Sequence, residues 1–264
     1  MFADWIQVGR MDELAGSDSP VHRLDARGKV VTTVAFIIAV MSFPRHEVSA
    51  LTPFLAYPVV IVSLGRIPLW FLLRKVLLAA PFAAVVGMFN PLLDRQPMAV
   101  VAGVVVTGGW LSFASIMFRF VLTAWAALAL IACTGMHRLA AALAQLGVPR
   151  VFVVQHMFLH RYLFVIADNA VKMMRSAAAR SGGRALTFKA YASMIGHLLV
   201  RSMDRAERVH RAMAARGYDG ELRTVRRAQF GLRDAMFVGC CLAFFAAARV
   251  WNVPAFLGRL ASGG

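Results

Sequence analysis

Apolar runs of membrane-spanning character lie on both sides of one basic, helix-patterned block, Met136 to Gly231. A block of that length is too long for an ordinary membrane loop, and a soluble domain is not normally bracketed by lipid-soluble segments. Hydrophobic residues make up 59% of the chain while its formal net charge is +16. Apolar and charged residues are therefore segregated along the sequence, as they are in membrane proteins. A long cationic helical element held beneath a membrane reads as a device that touches something else in the cytoplasm.

The apolar runs are Val30–Phe43, Ala50–Leu64, Leu72–Phe89, Leu111–Thr134 and Phe230–Trp251. The last two of these are long enough to cross ~30 Å of hydrocarbon at about 1.5 Å per residue. The first two are short and become spans only if flanking residues extend them. Lys and Arg crowd one set of connections: Arg10, Arg23, Arg27, Lys29, Arg66, Arg74, Lys75 and the whole basic block. The opposite set holds only Arg45, Arg95 and Arg259. By the positive-inside rule the N-terminus is expected in the cytoplasm and the C-terminus outside. The polar, mixed-charge first 29 residues do not have the layout of a cleavable signal peptide.

Ser19-Pro-Val-His-Arg-Leu-Asp-Ala-Arg-Gly-Lys29 is a compact polar approach to the first span, where Arg27 and Lys29 can lie at lipid headgroups. Met98–Thr107 is β-branched and bounded by Pro97 and Gly108, so it reads as a short hairpin or a re-entrant piece. Arg119, inside the fourth span, should face protein, water or an anionic partner; pairing with Asp94 or snorkelling outward is the bland account. Within the basic block three helices are expected. His137–Leu146 stops at Gly147-Val-Pro149, Arg150–Arg180 stops at Ser181-Gly182-Gly183, and Phe188–Arg216 stops at Gly217. On the third, Arg201, Arg205, Arg208 and Arg216 share one face, beside an apolar face of Leu199, Met203, Ala206, Val209 and Met213. A solvated or headgroup-binding charged face is the alternative for that stripe.

Catalytic signatures are missing. No Gly-x4-Gly-Lys-Ser/Thr loop is present, and Gly182-Gly183-Arg184 is a helix break, so nucleotide hydrolysis is not expected of this chain. His156 and His160 have the i, i+4 spacing of metal ligands, yet no local carboxylate or cysteine joins them and packing is the simpler role. Cys133, Cys240 and Cys241 lack disulfide or zinc spacing. No metal site and no cofactor are expected. Nucleic acid is a poor partner, because the basic block carries no recognised binding motif and lies against a bilayer.

These segments resemble the transmembrane T component of energy-coupling factor (ECF) transporters along nearly the whole chain. Ser19 to Lys29 resembles that family's first motif, and Ala140–Pro149, ending Leu-Gly-Val-Pro, resembles its first coupling segment. His160-Arg-Tyr-Leu-Phe-Val165 with Met173 and Met174 resembles the cobalt/nickel branch, the CbiQ-like proteins. Most specific is the pair of Ala-Arg-Gly signatures that end two long cytoplasmic helices. The second is intact as Ala215-Arg216-Gly217; the first departs as Ala179-Arg180-Ser181, with the glycine one place later.

The resemblance implies an all-α integral membrane protein with about five transmembrane helices plus long cytoplasmic coupling helices. Residues 1–135 would form the N-terminal membrane region, 136–229 the cytoplasmic coupling region, and 230–264 the last span and outside tail. It further implies a non-catalytic subunit, multi-pass in the cell (inner/plasma) membrane. Such a subunit joins two ATP-binding cassette ATPases to a metal-binding CbiM-like membrane subunit, with or without a small CbiN-like accessory, for uptake of cobalt or nickel ions. Arg180 and Arg216, with Ala179, Ala215 and Gly217, would dock into the ATPases, and the partner subunit would hold the metal. The alternatives are a shared T component for vitamin uptake, a lipid-binding membrane-surface scaffold, and a membrane-embedded enzyme.

Overall fold

Proline, glycine and one aspartate set most of the helix boundaries in the computed structural model, which describes residues 19–44, 49–93, 97–101, 104–182, 186–220 and 230–250. A short helix α1 (Pro20–Arg23) leads to Asp25, whose carboxylate accepts from the Arg27 amide and caps α2 (Ala26–Met41). Pro53 lies within a 3₁₀ segment, Ser49–Leu55, that runs into α3 (Ala56–Leu64). The long helices α4 (Leu69–Leu93) and α5 (Gly108–Thr134) are separated by an antiparallel hairpin, β1 (Pro97–Val101) and β2 (Val104–Thr107). The β-branched stretch thus takes the hairpin alternative. Helices α6 (Met136–Gln145), α7 (Arg150–Arg180), α8 (Phe188–Ala215) and α9 (Leu232–Val250) follow.

The chain divides into two compact units. Met1–Ala142 and Ala228–Gly264 make up the first, and Leu143–Arg227 the second. In the first unit α2 packs against both α5 and α9, while α4 packs along α5. The core is aromatic. Phe36 stacks on Tyr57 at 4.7 Å, Phe245 meets Tyr57 edge-on at 5.2 Å, and Phe54 stacks on Phe245 at 6.1 Å. Tyr57 keeps its hydroxyl satisfied there through Thr32 and Thr33.

Among the described residues three helices are long and apolar enough to cross a membrane: Leu69–Pro91, Gly108–Thr134 and Arg150–Arg180, with mean hydropathies of 1.9, 2.1 and 1.2. The outward surface of α4 is hydrocarbon, with Leu77, Leu78 and Phe82 exposed, a surface suited to lipid and not to water. This is a helical membrane protein. Among the described residues all five expected spans are helical over most of their length, but only the third and fourth meet the length and composition of a crossing by themselves; the fifth, expected to be long enough, does not. At 16 residues α2 is short of the roughly 20 needed, and α9 carries Arg233, Asp234 and Arg249. The third crossing-length helix, α7, falls instead in the block expected to be cytoplasmic. Its first half (Val151, Phe152, Phe158, Leu159) is apolar, whereas its charges concentrate from Arg161 onward.

Charged side chains tie α2 to its neighbours at both ends. Asp234 accepts from the Asp25 amide at 2.8 Å through one carboxylate oxygen and from the Gly231 amide at 2.9 Å through the other. One carboxylate thereby serves the N-termini of α2 and α9, where helix dipoles favour negative charge. Lys29 donates to the Cys133 carbonyl at 3.1 Å, placing its ammonium at the C-terminal end of α5. That corrects the expectation for Lys29: at 2% exposure it is buried between helices and does not reach lipid headgroups. Arg27 keeps about a third of its side chain exposed, 3.9 Å from Asp25. Gly28 lets α9 come close, since a Cβ there would lie 3.2 Å from Val238.

At the far end, Arg119 donates to the carbonyls of Phe43 and Pro44, at 3.1 and 2.6 Å. Arg249 donates to the Ser42 carbonyl at 3.2 Å and stacks over the Phe43 ring at 4.4 Å. Arg119 is thus a cap on the C-terminus of α2 and does not snorkel; Asp94, the other expected partner, lies outside the described residues. The polarity is consistent along the slab. Helices α2 and α9 run parallel, and α5 runs antiparallel to both.

Candidate functional site

The two arginines singled out by the sequence occupy equivalent but not identical positions. Arg180 is the last residue of α7, followed by Ser181 as C-cap and Gly182 at φ +59°. Arg216 is itself the C-cap of α8, followed by Gly217 at φ +78°. Behind Arg216 the Tyr218 amide donates to the Met213 carbonyl and the Gly217 amide to the Ala214 carbonyl, both at 3.0 Å. That double closure needs a left-handed residue, which glycine adopts at little cost. The displaced glycine of the first signature is likewise left-handed, one residue later, and α7 runs one residue longer past its alanine. The Ser181 hydroxyl adds a bond to the Ala178 carbonyl at 2.9 Å.

Ala179, Arg180, Ala215, Arg216 and Gly217 are all exposed. The alanines leave the last turn of each helix narrow, so each guanidinium is the bulkiest group at its tip. A cation at a helix C-terminus is also favourably placed in the field of the unpaired carbonyls. Chemically, each tip presents a fork of five N–H donors suited to a carboxylate.

Within the second unit α7 and α8 share an apolar groove of about 480 Å³. Phe158, Tyr162 and Ile166 come from α7; Met203, Val209 and Met213 come from α8. The groove pairs the first half of α7 with the second half of α8. Arg180 therefore lies about 27 Å along α7 beyond Tyr162, and Arg216 about 15 Å along α8 beyond Ala206, at 1.5 Å per residue. The expected apolar face of α8 is present and, apart from Leu199, lines this groove. The i, i+4 series Phe158, Tyr162, Ile166 on α7 was the signal for the other wall.

The arginine stripe of α8 does not act as a unit. Arg205 borders the groove, while Arg201 and Arg208 are exposed along the helix. Arg211, outside the expected stripe, pairs with Glu207 at 2.8 Å. Of the two histidines, His160 is buried with its ring edge-on to Phe164 at 5.2 Å. Among the described residues no group of three or more His, Cys, Asp or Glu side chains gathers where it could hold a metal ion. Cys133 is buried beside Gly65, and Cys240 is exposed.

Residues 17–226 match the CbiQ family, described as a cobalt transport protein. The chain is 25% identical over 229 residues to an uncharacterized protein of Methanocaldococcus jannaschii, covering 83% of this chain and 78% of the relative. It is 26% identical over 219 residues to the energy-coupling factor transporter transmembrane protein EcfT of Heliobacterium modesticaldum, covering 77% and 81%. A shorter match, 32% identical over 80 residues, joins it to the cobalt transport protein CbiQ of Rhodobacter capsulatus, over 30% and 33% of the two chains.

Proposed function

The chain belongs to the CbiQ family of cobalt transport proteins, a family of transporter membrane components, and from that membership we propose that it is the coupling subunit of an ECF importer for cobalt or nickel ions. The observation that carries this reading is the pair of exposed arginines at the ends of two long helices, each with a left-handed glycine one or two residues on. In the proposed mechanism each guanidinium enters an acidic groove on one of two ATP-binding cassette subunits. Closure of the ATPases on nucleotide then displaces α7 and α8, and the membrane unit passes that displacement to a CbiM-like subunit that holds the ion, with or without a CbiN-like accessory. ATP is hydrolysed by the partners. The region 136–229 is assigned to the cytoplasm with the N-terminus, and the whole to the cell membrane.

The fork geometry makes the contact specific. A bidentate guanidinium–carboxylate pair is stronger than a single hydrogen bond, and lysine cannot reproduce it. Co-expression of variants with the ATPase and substrate subunits, followed by co-purification, ATPase rate and cobalt uptake, tests the assignment. Arg216→Glu sets like charge against the groove and removes the paired bonds, a change of about 2–5 kcal/mol, or roughly thirtyfold or more in affinity. The ATPases should dissociate, or hydrolyse ATP without uptake. Arg180→Glu should act in the same way and the double variant more severely, while Arg201→Ala and Arg208→Ala should be tolerated as exposed rim charges. Normal co-purification and uptake by Arg216→Glu would defeat the reading and leave a lipid-surface scaffold as the better one.

A further inference from the structure

The chain leaves the first unit after Ala142 and returns to it at Ala228. The described segments nearest to these crossings, the start of α6 and the start of α9, carry residues of one buried polar hub in the first unit. The outgoing strand of connectivity is the end of α5, whose Cys133 carbonyl is held by Lys29; three residues into α6, Arg138 donates to the His22 carbonyl at 3.2 Å. The returning one is the start of α9, where the Asp234 carboxylate accepts from the Gly231 amide and from the Asp25 amide. His22 is itself bonded to Ser19 at 2.6 Å. Asp25 and Asp234 lie within the electrostatic reach of Lys29, as does Arg138. Three helix termini thus meet on one carboxylate and one ammonium, with negative charge at two N-termini and positive charge at one C-terminus.

We infer that Lys29 and Asp234 are positioning residues for coupling: they lock together the two places where the second unit is attached, so that a force arriving through α6 and α9 moves the α2–α5–α9 slab as one body. The inference rests on the proposed coupling function. Its physical ground is that bonds to buried charges are short-ranged and directional, whereas apolar helix contacts alone allow sliding. Pinning α2 again at its other end, through Arg119 and Arg249, leaves the slab no soft end into which motion could dissipate.

Two readouts on the complete chain test it. Spin labels at exposed His137 and Arg233 report the separation of the two crossings, in the chain alone and in complex with its partners. Asp234→Asn and Lys29→Met should broaden that distance distribution. With the ATPase and substrate subunits present, both variants should co-purify normally and hydrolyse ATP, but uptake per ATP should fall roughly tenfold, within the range of coupling between linked sites. A disulfide between Gly28→Cys and Val238→Cys, with Cys240 and Cys241 changed to Ala, should restore both readouts to Asp234→Asn when oxidised and lose them when reduced. A Cβ on Gly28 would lie 3.2 Å from Val238 Cγ2, so the two side-chain positions face each other across α2 and α9. Unchanged distances would overturn the inference. So would broadened distances with normal uptake per ATP, or loss of assembly and uptake in step with no rescue by the disulfide. If the unmodified chain supports no ATP-driven uptake, the coupling function itself fails, and the hub is then judged on the distances alone.

Discussion

Gly217 carries more of the coupling tip than its lack of a side chain suggests. Its φ of +78° is the only reason for glycine there, because a Cβ would meet nothing within 4 Å. Gly217→Val should therefore cost about 1–2 kcal/mol from backbone strain alone, enough to open the last turn of α8 and release the Tyr218–Met213 bond. Hydrogen exchange at the Tyr218 amide should speed up by roughly tenfold or more, with Gly217→Asn intermediate. Unaltered exchange in the valine variant would mean that the turn is held by something other than this closure. Gly217 was legible in the sequence because an arginine-ended helical pattern stops there. Lys29 was not: a lysine beside an apolar run can snorkel or be buried, and which it does depends on whether another helix ends within reach.

At the scale of elements, α4 and α5 depend on one close approach. A Cβ on Gly87 would fall 2.9 Å from the Phe113 ring, so the two helices touch through the missing side chain. Gly87→Leu should overpack this crossing and destabilise the membrane unit by about 1–3 kcal/mol. Val86→Leu, on the exposed side, should be close to neutral. Thermal unfolding in detergent separates the two, and equal midpoints would show that the crossing relaxes freely. Element type was readable for the long helices, because apolar runs and proline or glycine breaks are local properties of the chain, whereas Met98–Thr107 stayed open between a hairpin and a re-entrant piece. The role of α7 was less so, since a helix apolar in its first half and charged in its second satisfies both a membrane-crossing and an interfacial description.

Over the whole molecule, the Lys/Arg asymmetry yields a topology that labelling can check. Single cysteines at Ser181 and Gly220 should react only from the cytoplasmic side, and one at Ser262, outside the described residues, only from the other side. Cytoplasmic labelling of Ser262 would mean that the number of crossings is not five, with α7 the first helix to reconsider. By itself the sequence determined the helical membrane class, the positions of the breaks and the two arginine signatures, because these follow from hydropathy, turn chemistry and spacing along the chain. Tertiary structure alone decided that Asp234 would cap a helix more than two hundred residues earlier, that Lys29 would sit on the end of α5, and that Arg119 would hold the end of α2. Those pairings join groups remote in sequence, and a buried charge has no local pattern that names its partner; only the packing that removes water does so.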